Sequence, residues 1–376
     1  MPWNDVTVME LRREFVTLAA QHTVPFVALC ARFGISRKTG YKWLARFAEA
    51  GETGLDDRSR RPHASPTITD AETTGRIRIV ATAHPTWGGR LIRHALLNEG
   101  HTGVPAASTI TAILAREGLR ERDASASHPV IRFEAEAPNH RWQMDFKGWV
   151  PTRTGRLIPF TVLDEASRFL LVLEHMPTGT FTAVQAGLTE AFRRYGLPWQ
   201  LLADNGPPWG SARPRTLTRM DVWLLRLGVR PLHGRPRHPQ TQGKLERFHR
   251  TLTSDVLQQP FDAPQQAQVA LDAYRVVYNH ERPHSALGFH PPADRYTLSP
   301  RAFPEILPPI VYDEAASVRQ VSAKGTIRYQ HRVLFVSEAL QGLPVGVCPT
   351  LVEGVVRIQF CARTITTMDL RTLEAD

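Results

Sequence analysis

Three acidic residues stand where they could do phosphoryl-transfer chemistry. Asp145 lies in Arg141-Trp142-Gln143-Met144-Asp145-Phe146, Asp204 in Leu201-Leu202-Ala203-Asp204-Asn205-Gly206, and Glu246 in Gln242-Gly243-Lys244-Leu245-Glu246-Arg247-Phe248-His249-Arg250. Each aspartate follows a short apolar, strand-like run, and Glu246 falls in the first turns of a helix opened by Pro239 and Thr241. Carboxylates delivered from two strand ends and a helix supply the hard oxygen ligands that Mg²⁺ prefers. Two such ions can bracket the attacking and leaving oxygens of a phosphodiester.

Taken singly, the three acids differ. Asp145 sits between Met144 and Phe146 on a strand that must bury at least one face, where an unpaired charge is costly. Asp204 precedes the turn-prone Asn205-Gly206 and alone would read as an ordinary turn aspartate. Glu246 alone would be a solvated helix residue. Only a fold that brings the two strand ends under that helix makes them a site. On the helix, Arg250 follows Glu246 by one turn, so a carboxylate for metal stands beside a cation for phosphate. Asp164, in Leu163-Asp164-Glu165-Ala166-Ser167, is a rival acid that reads better as a turn cap. His233, His238 and His249 show no metal-ligand spacing and read as structural or as facing DNA.

Composition narrows the substrate. A net charge of +10 over 376 residues favours a polyanionic partner, because neutralising phosphates releases counterions. Three cysteines, none in a CxxC pair, argue against a disulfide framework and a structural zinc site, and Cys30 reads as a small core residue. No signal-like N-terminus and no apolar run of membrane-spanning length is present, so a cytoplasmic protein with no membrane partner is expected.

The chain is long enough for several domains. Residues 1–60 read as three helices, with Gly34 breaking the second and Ser36 capping a third that carries Arg37, Lys38, Lys42 and Arg46. That is the pattern of a helix-turn-helix DNA-binding domain, against a plain three-helix bundle with a solvated basic face. Residues 61–68 continue a basic linker that includes Arg58, Arg60 and Arg61, able to lie over phosphates. Residues 69–125 form a second helical module, either another helix-turn-helix or a packing unit. Within 136–300, the order is three strands, helix, strand, helix, strand, helix. This predicts an α/β ribonuclease-H-like core with a mixed five-stranded sheet, in which the first strand lies beside the fourth. Residues 305–376 hold short β runs separated by turn residues, expected to close a small β-barrel.

The combined motifs resemble bacterial insertion-sequence DDE transposases with a retroviral-integrase-type catalytic core. The match lies in the tryptophan-containing strand ending at Asp145, the Asp204-Asn205-Gly206 turn and the Gln242–His249 segment. It continues through Tyr278-Asn279-His280-Glu281-Arg282-Pro283-His284-Ser285-Ala286-Leu287-Gly288. The resemblance implies a DNA transposase or integrase in which Asp145, Asp204 and Glu246 are catalytic and bind two Mg²⁺ ions, with Mn²⁺ able to substitute. Asp145 and Asp204 would hold one ion and Asp145 and Glu246 the other. It also implies double-stranded DNA, both element ends and target, as partner, and a homo-oligomer on that DNA. A metal-dependent nuclease of the same fold and a catalytically silent DNA-binding regulator are the alternatives. Two departures stand out. Asp204 and Glu246 are 42 positions apart, more than is usual in the family, and Thr253 stands where many members carry a basic residue. The phosphate contact is then expected from Arg250 or Lys244, and Arg247 is a further DNA-binding candidate.

Overall fold

In a computed structural model, which describes residues 7–58, 69–120, 135–210, 217–234 and 243–372, the chain divides into two units, 1–68 and 69–376. The first unit is three helices: α1 (Val8–Ala20), α2 (Phe26–Arg32) and α3 (Arg37–Ala50). Thr7 and Glu10 close a reciprocal capping box on α1. The chain turns at Gly34, at φ +63°, and the Ser36 hydroxyl then caps α3 by accepting from the Thr39 N–H at 3.1 Å. Cys30 is buried with Phe15, Leu29 and Trp43, as a core residue should be. Gly40 of α3 faces this cluster, and a Cβ there would meet the Cys30 sulfur at 2.8 Å. Glycine thus sets how closely α2 and α3 approach.

The second unit begins with α4 (Ala71–Ala83), α5 (Gly89–Asn98) and α6 (Ala107–Arg116). They pack around Ile77, Trp87, Ile92, Leu96, Ile110 and Ile113. Then come β1 (Arg141–Phe146), β2 (Val150–Thr152), β3 (Gly155–Leu157), β4 (Pro159–Asp164) and β5 (Leu170–His175). They are followed by α7 (Phe181–Tyr195), β6 (Gln200–Ala203), α8 (Arg219–Arg226), β7 (Arg230–His233), α9 (Gly243–Leu252) and α10 (Pro264–His280). The main sheet has the order β5-β4-β1-β6-β7. Its β1–β4 and β4–β5 pairs are antiparallel, and β1–β6 and β6–β7 are parallel. This is the expected mixed five-stranded sheet with the first strand beside the strand that delivers Asp204. The first predicted strand is shorter than its apolar run, because Gly148 at φ +88° turns the chain into the small β2–β3 hairpin.

Alternation along β1 sends Trp142 and Met144 into a core shared with Val184, Leu188 and Phe192 of α7 and Met220 and Trp223 of α8. On the other side of the sheet, Leu163 and Leu170 pack against Leu245, Phe248 and Leu252 of α9 and Leu271 and Tyr278 of α10. Asp145, between Met144 and Phe146, therefore faces the α9 side. The helix expected to carry Glu246 is α9, followed by a π-helical turn at Thr253–Leu257. Asp255 of that turn accepts from Tyr274 Oη at 3.0 Å and Arg282 Nη1 at 2.9 Å, which pins the end of α9 to α10.

The Glu281–Phe289 segment seats the second helical module. His94 stacks on Phe289 at 3.8 Å, Asn98 Nδ2 donates to the Phe289 carbonyl at 2.9 Å, and Val277 packs on the module's core.

The C-terminal region departs from expectation. It contains β8 (Ser317–Gln320), β9 (Thr326–Tyr329), β10 (Arg332–Phe335), β11 (Pro344–Pro349), β12 (Val355–Phe360) and β13 (Arg363–Asp369). These strands form two separate sheets, β13-β12-β11-β8 and β10-β9, and not a closed barrel. The β9–β10 hairpin pairs with itself and leaves β8 and β13 at opposite edges. Val222 and Leu225 of α8 join the apolar cluster beneath these strands, so burial is completed against the core and not by closure. Among the described residues, no helix is long and apolar enough to cross a membrane.

Candidate active site

The parallel β1–β6 register pairs Gln143 with Leu202. Asp145 and Asp204 each lie two residues further on, at adjacent strand ends. Glu246 comes from α9, which packs over that side of the sheet. The Asp145 carboxyl is pushed up to about 7, first by burial and then by the negative charge of Asp204. The Phe146 N–H, donating to Oδ1 at 2.8 Å, opposes this, Glu246 adds a further upward push, and Lys147 lowers it. Asp145 therefore feels both other acids. Among the described residues, no three His, Cys, Asp or Glu side chains close into a single ligand cluster. Carboxylates are the hard oxygen donors that Mg²⁺ prefers, and water commonly completes its shell.

Asp204 is held firmly. Its Oδ1 accepts from the Gly206 N–H at 3.0 Å and from the indole N–H of Trp209. Trp209 is buried and stacks on Phe146, the residue after Asp145, with ring centroids 5.1 Å apart. Asn205 Nδ2 donates to the Gly234 carbonyl at 2.6 Å, tying the ends of β6 and β7 together. Part of the turn-aspartate reading is therefore real, but it fixes the carboxylate in place. His233 Nε2 lies 2.8 Å from Oδ1 of the buried Asp221, and its Nδ1 lies 3.3 Å from the Asp204 carbonyl. The hydrogen bond to Asp221 raises the His233 pKa against an opposing burial effect.

On the α9 side, the Thr161 hydroxyl donates to the Asp145 carbonyl at 2.9 Å and meets His249 Nε2 at 2.9 Å. His249 is buried, and burial with the Lys147 charge lowers its pKa to about 4, so the ring is neutral. Lys244 pairs with the buried Glu165, which also lies 3.3 Å from Arg141 Nη1. Its ammonium is thus engaged within the protein. Arg247 and Arg250 are exposed. Thr253, in place of a basic residue, donates its hydroxyl to the His249 carbonyl at 2.8 Å. Asp164 behaves as a cap: Oδ1 accepts from Ser167 N–H at 2.8 Å and Oδ2 from Asn139 N–H at 2.7 Å.

In the first unit, Arg37, Lys38 and Lys42 are exposed on α3, while Arg46 is half-buried. Lys42 and Arg46 lie over the Trp43 ring at 4.4 and 5.1 Å. Arg58 pairs with Glu49 at 3.3 Å on the surface. Arg60, Arg61, His238 and the 235–242 segment lie outside the described residues.

Comparison with known families agrees with this architecture. Integrase core domain models match residues 135–239 and 227–292, a helix-turn-helix domain matches 11–63, and a homeodomain-like domain matches 39–114. The chain carries an integrase core preceded by helix-turn-helix domains. It is 28% identical over 180 residues to an uncharacterized protein of insertion element IS407 from Burkholderia multivorans, covering 46% of this chain and 62% of that one. With transposase InsD of insertion element IS2 from Escherichia coli, identity is 27% over 245 residues, covering 60% of this chain and 78% of InsD. The catalytic core domain of BIV integrase aligns at 26% identity, over 42% of this chain and 93% of that one. Its TM-score of 0.34 is too low to bear on fold or function. The homeodomain-like match begins within α3 and ends within α6.

Around the integrase core's three acids, sequence reasoning passed over Trp209, Thr161, Lys147 and the His233–Asp221 pair. Each acts through a contact distant in sequence or through local charge. A tryptophan inside a Pro-rich turn, in Pro207-Pro208-Trp209, was the one signal available. A large apolar residue has little reason to be in such a turn unless it is buried.

Proposed function

We propose that this protein is a DNA transposase that binds the ends of a mobile element, cleaves a DNA strand there and joins it to a target. Asp145, Asp204 and Glu246 would hold two Mg²⁺ ions, Asp145 being shared between them, with Mn²⁺ able to substitute. The observation that carries this reading is the Asp145 carboxyl, desolvated and pressed by the charges of both other acids. Such an arrangement is unfavourable without cations and suited to them. When bound, such a pair of ions supplies activation of a water or DNA 3′-hydroxyl and stabilisation of the departing 3′-oxygen.

The chain's own residues do the rest. Phe146 N–H orients Asp145, while Gly206 N–H and the Trp209 indole orient Asp204. Lys147 adds positive charge beside Asp145, where a phosphate would arrive. Arg247 and Arg250, exposed on the helix that carries Glu246, are placed to hold flanking phosphates. The α2–turn–α3 unit, with Arg37, Lys38 and Lys42 exposed, supplies groove and backbone contacts to the element ends. Bridging two ends requires more than one copy, so the working form is a homo-oligomer on DNA.

The test uses the full chain, Mg²⁺ and a labelled duplex made from the inverted repeats that flank its reading frame. Joined products support the transposase. Nicks without joining favour a nuclease of the same fold, and binding without chemistry favours a silent regulator.

A further inference from the structure

We infer that His249 is a further metal ligand of this site, binding through Nδ1 beside Asp145. The inference rests on the two-ion reading above and adds a nitrogen donor to its carboxylates. His249 lies one turn after Glu246 on α9, and its ring reaches the sheet at Thr161. Thr161 is the register partner of Asp145 across the β1–β4 pair, so the three residues share one patch.

Proton bookkeeping fixes which nitrogen is available. A threonine hydroxyl has a single proton. Thr161 gives it to the Asp145 carbonyl, which can only accept. Toward His249 Nε2, at 2.9 Å, the hydroxyl oxygen is therefore the acceptor, and Nε2 carries the ring's proton. Nδ1 is then the ring nitrogen left to bind a metal, and it lies 4.0 Å from Asp145 Oδ2.

The His249 side chain is 10% exposed and that of Asp145 25%. The separation is too long for a hydrogen bond. It lies within the span of two ligand atoms on one ion, which is at most about 4.2 Å for bonds of about 2.1 Å. The remaining ring nitrogen is also arranged as metal-binding histidines usually are, donating its N–H to an oxygen that fixes tautomer and orientation. Thr161 thus positions the carbonyl of Asp145 and the ring of His249 together. A nitrogen donor should also tilt an otherwise all-oxygen site toward transition-metal ions and away from Mg²⁺.

The probe is Mn²⁺ alone, added to the full-length protein and followed by electron paramagnetic resonance. In the wild type, bound Mn²⁺ should show nitrogen hyperfine coupling. His249→Gln should remove that coupling and weaken Mn²⁺ binding by about 10-fold or more. Mg²⁺ affinity, read by competition, should fall less. Asp145→Asn should lose Mn²⁺ binding in this site. The wild-type spectrum needs no variant to fold, so it decides alone: bound Mn²⁺ without nitrogen coupling overturns the role of His249 and leaves the carboxylate site standing. A wild type that binds no Mn²⁺ overturns both.

Discussion

Asp145→Asn should stabilise the metal-free protein, and the gain should grow with pH. The folded Asp145 carboxyl titrates at about 7, against 3.8 for a free aspartate. Below about pH 4, both folded and unfolded chains hold the proton, and the substitution changes little. As pH rises toward 7, the unfolded chain ionises freely while the folded chain resists, so folding is progressively penalised. Above about pH 7 the penalty is complete. From 3.8 and about 7, it amounts to about 2 kcal/mol at pH 5 and about 4 kcal/mol at pH 8. Both are upper bounds, because the side chain is 25% exposed and partly hydrated. Asparagine removes the charge and keeps an oxygen for the Phe146 N–H. Urea unfolding in EDTA at pH 5 and pH 8 measures the difference, and titrating groups not coupled to Asp145 cancel between wild type and variant. A variant no more stable than wild type at pH 8, or a gain of the same size at both pH values, would refute the reasoning. Added Mg²⁺ should reverse the sign, stabilising wild type and leaving the variant unchanged.

Other substitutions separate positioning from contact. Trp209→Phe keeps most of the buried ring but removes the indole donor to Asp204, and should lower the strand-transfer rate about 10- to 100-fold with little change in DNA affinity, read by single-turnover kinetics. Lys244→Met takes one cation from the buried Glu165 and leaves it paired with Arg141. It should cost about 1–3 kcal/mol in urea unfolding while leaving the salt dependence of DNA binding unaltered. Arg247→Ala and Arg250→Ala should each reduce the slope of log affinity against log salt by about 0.9, measured by fluorescence anisotropy on a duplex; unchanged slopes would remove them from the interface.

Much of the fold was legible because its signals are local. Apolar alternation gave the strands that became β1, β4, β5 and β6, and Gly34 with Ser36 marked the turn of the first unit. The placement of Asp145 and Asp204 at neighbouring strand ends followed once β1 and β6 were taken as adjacent. Contacts that span the chain were not legible. Lys244 reads as a free cation on a helix, yet its partner Glu165 lies 79 positions earlier. His249 reads as an unremarkable helix histidine, yet it meets Thr161 of β4 and lies beside Asp145 of β1. The barrel expectation failed for a related reason. Turn-separated strands predict β structure, but whether the first and last edges meet depends on what else covers their apolar face. Here α8 does part of that.

The most direct measurement is the rate of strand transfer in Mg²⁺ from a duplex with a free 3′-hydroxyl, comparing wild type with Asp145→Asn, Asp204→Asn and Glu246→Gln at matched DNA occupancy. Loss of joining by about 10³-fold or more in each variant, with DNA binding intact, is the predicted result. Joining that persists within about tenfold of wild type in any of the three would contradict the assignment of that carboxylate to the chemistry.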